Sequence, residues 1–169
     1  MKKAMKLVWA VLMMLPMVAI TSCEDDPKEE DLFADYSVLI GKSRQQAIDY
    51  VGAQPIDDGA DYQTFRINSE GIISVDALYS YQDGVVLDKC VIVESYLNSY
   101  LTANSVNNFL LTKYTYEGTD EDGWYVYTSK DRQVYYIPED NSVMYIDTKN
   151  MPKAFSIDDV VTFIKARKG

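Results

Sequence analysis

Apolar and polar positions divide the 169-residue chain into an apolar leader, an acidic stretch and a longer patterned region. In the patterned region, alternating apolar residues predict β-strands, and apolar residues spaced three or four apart predict helices. Helical spacing occurs at residues 43–52 and 104–114, and from 156 to the C terminus. Strand alternation occurs at 62–67, 73–81, 85–93, 124–129, 132–137 and 142–148. The pattern therefore indicates a domain that contains both helices and antiparallel strands.

The first helix has the clearest boundaries in the sequence. Ser43 and Gln46 have the spacing of a capping box, in which each side chain satisfies a backbone N–H at the start of a helix. Gly52 can adopt the left-handed conformation that closes a helix, and Pro55 prevents the helix from resuming. We therefore expect a short helix over residues 43–52.

The element order helix, acidic turn, aromatic strand and two further strands occurs twice along the chain. The stretch Asp57–Tyr62 in the first pass corresponds to Asp120–Tyr125 in the second. We predict an α+β fold of two tandem helix-plus-three-stranded antiparallel sheet units with a C-terminal helix. The first unit spans residues 36–93 and the second spans 94–169. Residues 94–103 fit either a strand extension or a helix.

The leader has the composition of an export signal. Lys2, Lys3 and Lys6 precede an uncharged run from Leu7 to Ile20 that is shorter than the roughly 20 residues a membrane-spanning helix needs. The junction Ile20-Thr21-Ser22-Cys23 resembles a bacterial lipobox. The resemblance implies a lipoprotein signal peptide over residues 1–22, cleavage before Cys23, and acylation (palmitate) of that cysteine. The alternative is an ordinary secretory signal followed by an incidental cysteine.

Residues 23–35 form an acidic tether. Glu24-Asp25-Asp26-Pro27-Lys28-Glu29-Glu30-Asp31 contains few apolar groups, which favours a solvated, extended linker. An acidic cluster directly after a lipidated cysteine also resembles the surface-export signal of Bacteroidetes lipoproteins. That resemblance implies localisation on the cell surface, attached to the outer membrane by lipid. The alternative is a spacer that holds the domain away from the bilayer.

A second resemblance covers about 45 residues that begin at Leu39. Leu39-Ile40-Gly41-Lys42-Ser43, then Ala47-Ile48, then Val51-Gly52-Ala53-Gln54-Pro55 resembles the opening of beta-lactamase-inhibitor-like domains and of small outer-membrane assembly lipoproteins. Proteins of those families use the fold for contacts with other proteins. The resemblance therefore implies a binding function, and it transfers no functional residue to this chain.

Composition excludes several function classes. The formal net charge of −10 argues against nucleic acid, whose phosphates bind clustered lysine and arginine. The chain has no histidine, which excludes Ser-His-Asp and Cys-His catalytic systems and histidine-based zinc sites. Cys90 is expected to be a buried apolar residue in a strand. The Asp57–Asp61 stretch lacks the frame of a calcium loop, and we predict neither a metal nor a cofactor.

Aromatic residues supply the candidate contact site. Tyrosine and tryptophan are enriched at protein interfaces and also stack on sugar rings, although one face of each strand must pack into the core. No catalytic residue is predicted, but paired carboxylates leave a small hydrolase as a further alternative. We predict a surface-exposed, non-catalytic, lipid-anchored module of the bacterial outer membrane that binds an envelope protein, with glycan binding as the alternative. The candidate contact residues are Trp124, Tyr125, Tyr127, Tyr135 and Tyr136.

Overall fold

The computed structural model describes residues 34–69, 71–82, 85–150 and 161–162. In these residues, one antiparallel sheet of eight strands packs against two α-helices and a 3₁₀ turn, Tyr36–Leu39. The helices are α1 (Arg44–Val51) and α2 (Ala103–Leu111). The strands are β1 (Asp57–Asp58), β2 (Tyr62–Ser69), β3 (Ile72–Gln82), β4 (Val85–Leu97), β5 (Thr115–Thr119), β6 (Tyr125–Thr128), β7 (Arg132–Ile137) and β8 (Ser142–Asp147).

The predicted fold of two tandem three-stranded units is wrong. Among the described residues, the strands form a single sheet in the order β1-β2-β3-β4-β8-β7-β6-β5, so each half contributes four strands, and α1 and α2 belong to the first and the second half. The halves join where β4 pairs with β8, from Ile92↔Ile146 to Tyr96↔Ser142. The physical reason is that β4 is apolar on both faces, and such a strand is most stable in the interior of a sheet.

Three predicted segments lie outside the described residues: the signal peptide 1–22, most of the tether, and most of the C-terminal helix. Val161 and Thr162 are described and are helical. No helix among the described residues is long and apolar enough to cross a membrane. The predicted unit boundary between residues 93 and 94 falls inside β4.

Helix α1 forms as its sequence predicts. Ser43 and Gln46 make both hydrogen bonds of the capping box, and Gly52 ends the helix in the left-handed conformation with φ 72°. The loop before the helix is fixed to the sheet, because the Gly41 N–H donates to the Cys90 carbonyl and the Cys90 N–H donates to the Lys42 carbonyl. Ala47 is then fully buried against the sheet.

The ambiguous segment 94–103 divides between two elements. Strand β4 continues to Leu97, a turn follows, and Thr102 caps α2 by accepting a hydrogen bond from the Ser105 N–H. Asn104, which sequence spacing suggested as the cap, lies inside the helix. The buried face of α2 consists of Val106, Phe109 and Leu110.

Both faces of the sheet are buried, but by different segments. On the helix-covered face, the core includes Phe65, Val75, Val93, Val134 and Tyr145, which belong to one cluster with the buried residues of α1 and α2. On the opposite face, a smaller cluster contains Val91, Ile92, Trp124, Tyr135, Ile137, Met144, Ile146 and Val161. Val161, which is helical, therefore packs on this second face.

Candidate functional site

The structure divides the five predicted contact residues between the two faces of the sheet. Trp124 and Tyr135 lie on the face opposite the helices, each about 5% exposed, and their rings meet edge-on at a centroid distance of 5.9 Å. They pack in the smaller cluster with Ile137 and Met144. These two side chains therefore contribute mainly to packing and present little surface to a ligand.

The other three predicted residues lie on the helix-covered face. Tyr127 is fully buried, and its hydroxyl donates to Oδ1 of Asn107 on α2 at 2.6 Å. Burial raises the pKa of Tyr127 and of Tyr136, and neighbouring tyrosines add to both shifts. Tyr125 is only half-buried. The three rings thus run from the core towards the outer strands of the sheet.

Tyr116 on β5 extends this row of rings to the edge of the sheet. Its ring lies 5.3 Å from that of Tyr127 and 6.3 Å from that of Tyr125, and Tyr125 lies 5.7 Å from Tyr136. Tyr116 is 42% exposed, and its hydroxyl bonds to Oγ1 of Thr119 at 2.9 Å. We call these four side chains, Tyr116, Tyr125, Tyr127 and Tyr136, the tyrosine ledge. Tyr116 and Tyr125 reach solvent, and they pack against Tyr127 and Tyr136, which are buried.

The ledge ends at an open strand edge. Among the described residues, β5 is the last strand of the sheet, and four of its five residues are exposed. A bulge at Glu117, between Tyr116 and Gly118, shifts the register against β6, and Gly118 has a positive φ of 138°. The hairpin closes where the Asp120 N–H donates to the Trp124 carbonyl and the Trp124 N–H donates to the Asp120 carboxylate. β5 thus presents outward-facing backbone groups beside the exposed tyrosines.

Sequence reasoning missed β5 because Glu117 and Gly118 are typical of a loop. The available signal was the alternation of Tyr114, Tyr116 and Gly118 with threonine and glutamate, which is weak over so few residues.

The hairpin Thr115–Ser129 carries four acidic residues and no lysine or arginine. Glu117 is exposed on the side away from the ledge, where it accepts a hydrogen bond from the Thr128 hydroxyl at 2.6 Å.

A buried carboxylate lies on the opposite face of the sheet. Glu94 of β4 is 5% exposed and accepts a hydrogen bond from the Ser142 hydroxyl at 2.7 Å. Burial raises the pKa of Tyr96, and the charges of Glu94 and Asp76 raise it further. Asp76 is directly opposite Glu94 in the β3–β4 pairing. The signal in the sequence was a single acid within the run Val91–Leu97.

The end of the tether is fixed to the second half of the domain. The Lys113 ammonium binds the Asp35 carboxylate at 2.8 Å, and Arg132 donates to the Ser37 carbonyl at 2.6 Å. Burial opposes ionisation of Asp35, but hydrogen bonds from Lys113 and Ser37 outweigh it and hold the pKa of Asp35 below its ordinary value. Asp35 also caps the 3₁₀ turn by accepting from the Ser37 N–H.

The acidic turn at residues 57–61 is organised by Arg44. Its guanidinium binds the Asp58 carboxylate and the Gly59 and Ala60 carbonyls, and it lies 4.7 Å from the centre of the Tyr79 ring.

The described part of the chain holds no group of three or more potential ligand side chains that would suit a metal ion. Cys90 is fully buried, and burial raises the pKa of its thiol to about 12.

No family model, curated protein or solved structure matches this chain. The resemblances to bacterial lipoproteins and to beta-lactamase-inhibitor-like domains therefore stay predictions. The function is therefore inferred from the geometry of the described residues.

Proposed function

We propose that this protein is a non-catalytic interaction module, attached by lipid at Cys23 to the bacterial outer membrane and exposed at the cell surface, which binds an envelope protein through the tyrosine ledge. The observation that carries this proposal is the pair of solvent-reaching tyrosines, Tyr116 and Tyr125, on a buried support beside the open edge of β5. Such rings supply apolar contact area at low conformational cost.

The supported arrangement of the ledge favours recognition over simple core packing. The exposed ring of Tyr116 contacts Tyr127, which is itself fixed by the hydrogen bond to Asn107. The Tyr116 hydroxyl is hydrogen-bonded to Thr119. Because Tyr116 is restrained before any partner arrives, less side-chain entropy is lost on binding. A partner would therefore meet a largely preformed surface.

The attachment of the tether is consistent with presentation from a membrane. Lys113 and Arg132 fix Asp35 and Ser37, so the chain leaves the domain from a defined point. Those two bonds lie near the beginning of β5 and of β7, whereas the hairpin loop Asp120–Gly123 lies at the far end of β5. A lipid anchor at residue 23 would then be joined to the domain at the end opposite the loop of the hairpin.

Site-specific photocrosslinking in native envelopes tests the proposal. A photoreactive phenylalanine analogue at Tyr116 should give a reproducible protein adduct. The matched control is the same substitution at Tyr50, a 51% exposed tyrosine on α1 outside the ledge. Equal adducts from both positions, or none from position 116, would contradict a partner at the ledge.

Glycan binding is the second candidate, because exposed tyrosine rings also stack on sugars. A glycan array separates the two functions. Specific glycan binding that Tyr116→Ala abolishes and Tyr50→Ala leaves unchanged would favour the second candidate. The array test uses Tyr116 because it is the most exposed member of the ledge, whereas Trp124 is buried.

A further inference from the structure

We infer that the partner adds an extended strand, bearing basic residues, to the free edge of β5. This inference rests on the proposed interaction function and specifies the mode and chemistry of binding. Addition of a strand to a sheet edge is a recurrent mode of peptide recognition, in which backbone hydrogen bonds give affinity and side chains give specificity.

The two edges of the sheet differ in their capacity to accept a strand. β1 at one edge has only two residues, and Arg44 holds its Asp58 carboxylate. β5 at the other edge has five residues, of which four are exposed. Its bulge between Tyr116 and Gly118 limits uninterrupted pairing to a few residues, which suits a short, reversible contact.

Charge selects the class of strand that would bind. The hairpin Thr115–Ser129 has four acidic residues and no basic one, and Glu117 lies on the edge strand itself. In an antiparallel pairing of two copies, Glu117 residues would approach each other and repel. A strand with lysine or arginine at alternate positions would instead meet Glu117 on one face, while its intervening side chains pack on Tyr116 on the other face.

A synthetic peptide tests strand addition directly. The probe is an octapeptide of alternating lysine and valine, with two controls: the same peptide N-methylated at alternate amides, and an alternating glutamate–valine peptide. Binding to the full-length protein in detergent is measured by calorimetry, and protection of β5 amides is measured by hydrogen exchange. We expect the lysine peptide to bind and to protect residues 115–119, and we expect both control peptides to bind at least about tenfold more weakly.

Charge-reversal variants of the protein locate the site. Glu117→Lys should weaken binding of the lysine peptide about fivefold. The matched control Glu139→Lys makes the same change at an exposed residue of the β7–β8 turn and should alter binding less than about twofold. Thr128→Val removes only the hydrogen bond to Glu117 and should leave the affinity unchanged within the same limit.

Four results would overturn the inference: no binding of the lysine peptide, equal binding of the N-methylated peptide, equal effects of the two charge reversals, or a stable dimer through β5 in sedimentation. Crosslinking from Tyr116 is independent of these measurements. If the crosslink forms but the peptide does not bind, strand addition fails and the interaction function stands. If the crosslink also fails, the proposed function fails with it.

Discussion

Replacement of Tyr145 by phenylalanine should stabilise the protein, although it removes a polar group from the core. Tyr145 is fully buried on the helix-covered face, and no protein group in the described part of the chain bonds to its hydroxyl. Burial raises the pKa of Tyr145 well above the ordinary value, so the side chain is neutral near pH 7 in the folded protein as well as in the unfolded protein. An unsatisfied buried hydroxyl costs about 1–3 kcal/mol, and phenylalanine keeps the ring and its packing beside Tyr114.

The expected gain is about 1 kcal/mol in the free energy of unfolding, which is about 0.5 M in the urea midpoint for a slope near 2 kcal/mol per M. Tyr127→Phe is the matched control, because the Tyr127 hydroxyl donates to Asn107 at 2.6 Å. That change should lower the free energy of unfolding by about 1 kcal/mol. Urea unfolding followed by circular dichroism measures both variants. If Tyr145→Phe loses as much stability as Tyr127→Phe, the Tyr145 hydroxyl has a partner and the reasoning is refuted.

Three further predictions concern single residues. Cys23→Ser should move the protein from the membrane to the soluble fraction, because each buried lipid methylene contributes about 0.8 kcal/mol to anchoring; retention on the membrane would contradict lipidation. Because its folded pKa lies below its ordinary value of 3.8, Asp35 stabilises the fold above that pH and loses this effect as pH falls through the folded pKa. The free energy of unfolding of the wild type should therefore exceed that of Asp35→Asn by about 1 kcal/mol at pH 6, and the urea midpoints should approach each other as the pH falls below 3.8, whereas a gap that does not change with pH would exclude the ion pair as its cause. The Cys90 thiol, whose pKa burial raises to about 12, should react with a disulfide reagent at least about a hundredfold more slowly in the native protein than in urea, and equal rates would show that the site opens readily.

Local signals in the sequence predicted the parts of the fold that local chemistry determines. The capping box at Ser43 and the closing Gly52 appear in the structure, and β7 has the predicted bounds. Pairing between strands far apart in sequence was not encoded in any local pattern. The one clue was that β4 carries apolar residues on both faces, which is typical of a strand with neighbours on both sides. Recognising β8 as that neighbour requires the structure, because β8 begins 45 residues after β4 ends.

The same difference between local patterns and long-range pairing determines how much of the candidate site the sequence could predict. The doublets Trp124-Tyr125 and Tyr135-Tyr136 divide between opposite faces because side chains alternate along a strand. Alternation could not predict that Val161 would pack on the face that carries Trp124 and Tyr135, so it could not show that these two side chains would be buried. It also could not show that Tyr116 would remain exposed, since that follows from the position of β5 at the end of the sheet.

Edge position therefore converts an ordinary tyrosine into a candidate contact residue. A strand at the end of a sheet leaves backbone groups unpaired, and proteins commonly protect such edges with charge, bulges or short length. β5 has a bulge and an acidic residue, both of which oppose pairing with a second copy of this acidic chain. The same acidic residue attracts a basic strand. The acidic residue that opposes self-association is thus the one that would select a cationic partner, and Glu117→Lys should weaken the second effect while it removes the first.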